Sequence, residues 1–340
     1  MKRLLSLLLT LTALSAALCV TAAAAEAAAP ETPAAEEPAE IPAFVRVWGK
    51  VSPWDGDGIL LKNSNPDDPL NEVVLHPGEA PVVDAVTGLP LDLETVKEGD
   101  VLYAWANPVM TLSLPPQIGA LVIVGNIPAD AAVPEFCEIA QHVWRFAPED
   151  KRNPVFPLTG GGAAHSGGGQ LEVTDKTVYT PWLTKQIVGV DDLVPGTRVL
   201  VWKDENGAAE KIQLLPSVYQ GYVCTFSHMH GAAIAVNGGF DAERDKDVPQ
   251  FQSKRTENGA MAPIRGIAEA AGYEVRWDKE LGVVVSLNGE TVFSVRPGSD
   301  KIVTPEGEGA LSAPCLKEGG TTYLPLEDLC RYLNLYLSWG

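Results

Sequence analysis

Pro263-Ile-Arg-Gly-Ile-Ala-Glu-Ala-Ala-Gly-Tyr-Glu-Val-Arg-Trp277 is answered near the end of the chain by Pro325-Leu-Glu-Asp-Leu-Cys-Arg-Tyr-Leu-Asn-Leu-Tyr-Leu-Ser-Trp339. The step from proline to tryptophan is the same in both, and apolar residues coincide at Ile264/Leu326, Ile267/Leu329, Ala271/Leu333, Tyr273/Leu335 and Val275/Leu337. Each copy predicts the same local structure. Proline opens a helix where its missing N–H costs nothing. Apolar positions at i, i+3 and i+7 give that helix one buried stripe. Gly272 or Asn334 then takes the left-handed conformation that ends it. The period next switches to two, as a strand requires, and stops at the tryptophan. Nothing in the motif is a nucleophile, a base or a metal cage, so it predicts architecture rather than chemistry.

Between the copies, residues 283–287 and 291–295 alternate on either side of Asn288-Gly289. Asn-Gly is the favoured two-residue hairpin turn, because both central residues need positive φ. The C-terminal region, residues 231–340, is therefore an α+β module with an internal helix-strand repeat. Upstream, the chain reads as β throughout. From Phe44, short runs such as Val45-Arg-Val-Trp-Gly-Lys-Val51, Asn71-Glu-Val-Val-Leu75 and Val101-Leu-Tyr-Ala-Trp105 sit between Gly, Pro, Asn and Asp clusters. A second β unit repeats the first in outline. Leu93-Glu-Thr-Val-Lys-Glu-Gly-Asp-Val-Leu-Tyr-Ala-Trp105 parallels Leu193-Val-Pro-Gly-Thr-Arg-Val-Leu-Val-Trp202, with matched spacing from Gly99 to Trp105 and from Gly196 to Trp202. Each element predicts a turn feeding a half-buried strand. Short strands at this spacing imply two small β-barrel-like domains, OB-like, at residues 43–130 and 134–224. The fold class is mainly β plus α+β.

Met1-Lys-Arg, the apolar run 4–20 and the alanine tract 22–25 form a secretory leader, expected to span residues 1–25. Residues 26–42, rich in Ala, Glu and Pro, predict a flexible tether. The chain carries 44 acidic against 25 basic residues, a formal net charge of −19. Such a surface repels nucleic-acid phosphates and anionic membranes, so nucleic acid is excluded as a partner. No stretch beyond the leader approaches the ~18 apolar residues of a spanning helix.

The segment from Asn258 to Asp278 resembles the copper amine oxidase N-terminal-like domain. The resemblance runs through the Pro-apolar-Arg opening, the Glu-Ala-x-Gly helix end and the Val-x-Trp-Asp strand, and covers about residues 231–340. It implies a stalk-like module of secreted and cell-envelope proteins of Gram-positive bacteria, separate from any catalytic domain. The cofactor-forming Asn-Tyr-Asp/Glu signature of the oxidases has no counterpart here; the nearest string is Asn334-Leu-Tyr336. Two departures stand out: Glu327 replaces Arg265 in the second copy, and the chain stops one residue after Trp339 without a closing strand like 283–287.

Candidate chemistry is sparse. Cys224, His228 and His230 are the one compact set of soft ligands, and on an extended strand they would share a face suited to Zn²⁺ or Cu. The bland alternative is a polar connector. Cys137 and Cys224 flank the second β unit, where export would permit a disulfide; buried thiols are the alternative. The glycine-rich stretch 159–169 lacks the strand, helix and Gly-Lys-Ser/Thr of a phosphate loop and reads as a loop. Asp55-Gly-Asp57-Gly58 lacks the later ligands of a calcium hand and reads as a solvated acidic turn. Val109-Met-Thr-Leu-Ser-Leu-Pro-Pro-Gln117 reads as a bend between strands rather than a recognition stretch. Of the tryptophans, Trp105 and Trp202 at matching strand ends read as core. Trp54 and Trp182, beside prolines in turns, are the candidates for an exposed ring that stacks on sugar.

The reading is a secreted, non-catalytic cell-envelope protein with a structural or adhesive role and no cofactor. Its expected partner is cell-wall polysaccharide, extracellular glycan or an extracellular protein. The alternative is a secreted enzyme or metalloprotein with its site at Cys224, His228 and His230.

Overall fold

The computed structural model describes residues 42–127, 133–141, 154–159, 169–228, 231–241 and 243–339. The expected leader, most of the tether and His230 lie outside them. The first unit contains β1 (Val45–Ser52), β2 (Ile59–Lys62), β3 (Glu72–His76), β4 (Val82–Asp84), β5 (Val101–Met110) and β6 (Gln117–Gly125). β1 pairs antiparallel with β2 and β5, β2 with β3, and β5 with β6, while a parallel β3–β6 contact closes the ring. The result is a closed five-stranded barrel with the Greek-key strand order of the OB type, and β4 lies outside it along β6. Val47, Leu61, Val73, Leu75, Leu102 and Ile123 are among the side chains that fill it.

The second unit repeats this topology strand for strand. β7 (Glu135–Glu138), β8 (Val155–Pro157), β9 (Gln170–Thr180), β10 (Arg198–Lys203) and β11 (Ala209–Leu214) occupy the places of β1, β2, β3, β5 and β6. The parallel contact is again the one between the third and fifth strands, here β9 with β11. β7 and β8 meet only through an isolated bridge between Ile139 and Leu158, so the ring is drawn shut by a few bonds rather than a full ladder. The sequence element shared by the two units has one structure: a 3₁₀ turn at Leu93–Thr95 or Val190–Asp192, then Gly99 or Gly196 at φ 90 or 82, then the strand to tryptophan. Glycine is needed there because a side chain disfavours that φ.

Those strands are not half-buried, as their alternation suggested. Val199 and Val201 point into the second barrel, but Leu200 and Trp202 on the opposite face pack into an apolar seam shared with the first barrel. The first barrel supplies Phe44, Val83, Trp105, Val122 and Val124 to that seam, and Phe136 supplies its centre. Phe136 meets Phe44 edge-on at 4.9 Å and Trp105 at 6.0 Å. The Trp202 indole N–H donates to the Ala85 carbonyl (2.6 Å), and the Lys211 ammonium, stacked over the Trp202 ring, donates to the Thr87 carbonyl. Each strand is covered on both faces because the barrels serve as each other's second layer.

The C-terminal unit begins earlier than the sequence suggested. β12 (Gly221–His228), expected at the end of the second β domain, belongs with β13 (Gly231–Val236) and β14 (Gln250–Gln252) in a C-terminal sheet. β15 (Lys254–Thr256) and β16 (Gly259–Pro263) lead into α1 (Ile264–Ala270) and β17 (Glu274–Asp278). The hairpin of β18 (Gly282–Leu287) and β19 (Glu290–Val295) follows, then β20 (Lys301–Thr304), β21 (Gly307–Ala310), β22 (Leu316–Glu318), β23 (Thr321–Pro325), α2 (Leu326–Tyr332) and β24 (Leu335–Ser338). The two sequence copies become strand-helix-strand units, β16-α1-β17 and β23-α2-β24. They are joined by an antiparallel β16–β23 pairing in which Ala262 faces Leu324, Met261 faces Pro325 and Pro263 faces Tyr323. That register is symmetric about Ala262 and Leu324, both fully buried, so the copies are related by a local two-fold. Gly272 (φ 88) and Asn334 (φ 49) end the helices, and Asn288-Gly289 turns the hairpin with both φ positive.

The symmetry breaks at the last strand. β17 finds an antiparallel partner in β18, whereas β24 pairs in parallel with β12 (Tyr222 facing Tyr336, Cys224 facing Ser338). β12 thus partners β24 as β18 partners β17, but in parallel. Residues beside β24 also bind the second barrel. The Ser338 hydroxyl donates to the Ala140 carbonyl (2.8 Å), the Gln141 amide donates to the Trp339 carbonyl (2.8 Å), and the Thr159 and Tyr336 hydroxyls share a hydrogen bond (2.8 Å). Residues 40–340 accordingly form a single compact unit.

Because Phe136 joins the barrels, Phe136→Ala is expected to cost about 3–5 kcal/mol in denaturant unfolding followed by tryptophan fluorescence. Val178→Ala, at a half-exposed position on β9, should stay within about 0.5 kcal/mol.

Candidate functional site

Trp54, one of the two sequence candidates, stands in the loop that joins β1 to β2 and is 38% exposed. Its indole N–H donates to the Asp57 carbonyl of the same loop (3.2 Å), which holds the ring against the turn and leaves its outer face open. The loop runs into β2 through Gly58 (φ 97), where a Cβ would come within 2.9 Å of the Leu75 carbonyl and the Val74 side chain, with His76 just beyond. His76 Nε2 bonds Gln117 Oε1 at 2.8 Å. The Gln117 backbone N–H donates to the Thr111 hydroxyl (2.9 Å), and Thr111 N–H returns to the Gln117 carbonyl (3.1 Å). This relay ties the end of β3 to the root of the β5–β6 loop, and Gly58 of the β1–β2 loop lies against the same end of β3.

The β5–β6 loop is the Pro-Pro segment that the sequence presented as a bend. It does reverse the chain, but it also holds Leu112 and Leu114 almost wholly in water, 103% and 96% exposed, beyond Val109 at 77%. Three large apolar side chains on one tip are unusual for a loop that only turns the chain; burying each leucine would contribute about 1.5–3 kcal/mol. Apolar residues in a Pro-rich stretch were the available signal, and the turn chemistry of Pro-Pro outweighed it.

Trp182, the other candidate, is half-buried and packs against the seam between the barrels. It offers less open ring than the turn chemistry around Pro181 suggested. Trp277, read only as the last residue of a repeat, is 51% exposed.

Of the three candidate metal ligands, only the Cys224 side chain lies among the described residues. β12 ends at His228, which pairs with Gly231 of β13. Cys224 is buried within the sheet, 6% exposed, whereas Phe226, between it and His228 on the same face, is 51% exposed. The His228 side chain and His230 lie outside the described residues, as do His142, His165 and most of the glycine-rich stretch. Among the described residues no group of three His, Cys, Asp or Glu side chains is arranged to hold a metal.

The disulfide considered between Cys137 and Cys224 is not formed. Cys137 is a free thiol in the core of the second barrel, whereas Cys224 lies on β12 of the C-terminal sheet. The reassignment of β12 is the physical reason, since Cys137 and Cys224 are not first and last strands of one barrel. Burial pushes the thiols of Cys137 and Cys330 up to about 12, with the nearby Glu135 and Glu327 adding to the shift, and raises Cys315 to about 11. These are packing residues, inert as nucleophiles near neutrality. Among the described residues no helix is long and apolar enough to cross a membrane.

Residues 243–340 match the family model of the copper amine oxidase N-terminal domain. The match lies inside the region where the sequence resemblance was seen, and that domain is a non-catalytic module. It begins after β12 and β13 and takes in both strand-helix-strand copies. No curated protein matches the chain at a significant level.

Native-state maleimide labelling at pH 8 with peptide mapping is expected to leave Cys137, Cys224, Cys315 and Cys330 unmodified. All four should label once the protein is unfolded; native labelling of Cys137 would contradict its place in the barrel core.

Proposed function

We propose that the protein is a secreted, non-catalytic component of the cell envelope with a structural or adhesive role. It binds wall polysaccharide, extracellular glycan or a protein partner through the loop edge of the first barrel. The observation that carries this reading is the pair of loops itself. Trp54 on the β1–β2 loop, and Leu112 and Leu114 on the β5–β6 loop beyond Val109 near the end of β5, hold apolar surface in water, with the end of β3 lying against the first loop at Gly58 and bonded to Gln117 beside the second. In OB-type barrels the corresponding loops border the face that takes oligosaccharides or oligonucleotides. A net charge of −19 speaks against the latter.

The rest of the molecule fits a support. The second barrel covers the outer face of the first, and the C-terminal unit is bound to the second barrel through the surroundings of β24. A ligand held at the loop edge is thereby carried on one continuous body rather than on jointed modules. The resemblance of the C-terminal unit to a stalk domain of envelope proteins favours the same role, and the leader-like N-terminus favours export.

The full chain is expected to be retained saturably on purified cell wall. Trp54→Ala and the double change Leu112→Ser with Leu114→Ser should each weaken retention by about tenfold or more, since one buried leucine already exceeds the 1.4 kcal/mol that corresponds to a factor of ten. Their thermal unfolding should be unchanged, because these side chains support no core. Absence of retention would overturn the reading. If it came with about one equivalent of tightly held copper or zinc, lost in His228→Ala, the protein would instead be a metalloprotein.

A further inference from the structure

A second candidate for ligand binding lies in the C-terminal unit, far along the chain from the barrel loops. An open groove of about 300 Å³ runs between two sheet edges: β17, the outer strand of the β17–β21 sheet, and the hairpin of β22 with β23. Arg265, Arg276, Trp277 and Lys317 line it, with the hydroxyls of Thr321 and Thr322 along one wall. Three cations and no carboxylate line this groove, in a chain whose acidic residues outnumber its basic ones 44 to 25. Glu269 pairs with Arg265 (2.7 Å) and Asp278 with Arg276 (3.3 Å), and neither carboxylate is part of the lining. Lys317 is turned onto the Trp277 ring, its ammonium 4.4 Å from the centroid.

The local two-fold supplies an internal comparison. In the second copy Glu327 stands at the place of Arg265 and Ser338 at the place of Arg276. Ser338 is buried and donates to Ala140, and its strand is paired by β12. Both β17 and β24 are the last strands of their sheets, but only the first copy carries cations at these two positions. The departure at Glu327 therefore separates a cationic edge from one without those charges.

We infer that this groove is a binding site for an anionic polysaccharide, its sugar ring resting on Trp277 and its carboxylate or phosphate held by Lys317, Arg276 and Arg265. An indole offers the apolar face of a pyranose a flat surface, and the guanidinium groups match a carboxylate or phosphate in geometry and charge. The exposed cation–π contact between Lys317 and Trp277 is weak, so an incoming anion draws the ammonium away and frees the ring face beneath it. An added peptide strand fits this edge poorly. The Arg265 guanidinium already donates to the Val275 carbonyl (2.7 Å) and so occupies the strand edge that such a peptide would need. This site goes beyond the loop-edge reading and shares no residue with it.

The test is titration of the full chain with polygalacturonate and with a glycerol-phosphate polymer, with neutral dextran and poly-glutamate as controls. Lys317→Glu and Trp277→Ala should each weaken binding to the anionic sugar by about tenfold or more, while Trp277→Phe and Lys317→Arg keep it within about threefold. Preference for polygalacturonate or for the phosphate polymer identifies which anion the groove holds. Affinity for polygalacturonate unchanged in Lys317→Glu would overturn the proposal, and so would poly-glutamate binding as tightly, because charge alone would then suffice. The Trp54 and Leu112/Leu114 variants should bind the polyanion normally, so failure of the loop-edge reading and failure of this one are separable.

Discussion

The pairing of β24 with β12 is the contact on which the arrangement of this protein depends. A strand needs partners along its edges, and the partner of β24 is not a neighbour in sequence. β12 meets that need from more than a hundred residues away, in parallel, and it directly follows the second barrel. Tyr336, Ser338 and Trp339 are thereby held beside Thr159, Ala140 and Gln141. Tyr336 illustrates the joint: it packs edge-on against Tyr219 at 5.2 Å and reaches the Thr159 hydroxyl, and burial pushes its own hydroxyl up to about 12.

The two barrels solve a related problem in the same way. A small barrel fills its interior with one face of each strand and leaves the other face to solvent, yet Leu200, Trp202, Val122 and Val124 are apolar on that outer face. Two barrels of the same topology, set against one another, bury those faces jointly, and the Trp202 and Lys211 donors satisfy carbonyls of the facing β4 turn. Duplication of a fold and burial of its outer surface are linked in this protein: each copy is the cover for the other.

Against that buried background the exposed features stand out. The tip of the β5–β6 loop is apolar in water, and the groove beside β17 is cationic on an acidic molecule. One feature offers desolvation and the other offers charge, at opposite ends of the sequence and on different folds. A protein joined into one body can present both to an extended polymer at a fixed separation, which jointed modules could not do.

Several features follow from local chemistry alone and were legible in the residues. Pro263 and Pro325 opening helices, Gly272 and Asn334 ending them, Asn288-Gly289 turning a hairpin and the repeated glycine-to-tryptophan strand are dictated by φ preferences and by period, which act within a few residues. The OB-like barrels were readable for the same reason, through the spacing of short strands and turns. Which strands pair was not readable where the partners are distant. Alternation assigns Val199 and Leu200 to opposite faces but does not say that the second face meets another barrel. The alternation of β12 is equally compatible with either neighbouring sheet. The candidate site divides along the same line. Trp54 could be found from its turn, whereas the convergence of Arg265, Arg276, Trp277 and Lys317 required β17 and β22 to meet across forty residues of chain. Sequence determined each element, because its causes are local; tertiary structure alone decided the partners, because edges and faces are covered by whatever the fold brings to them.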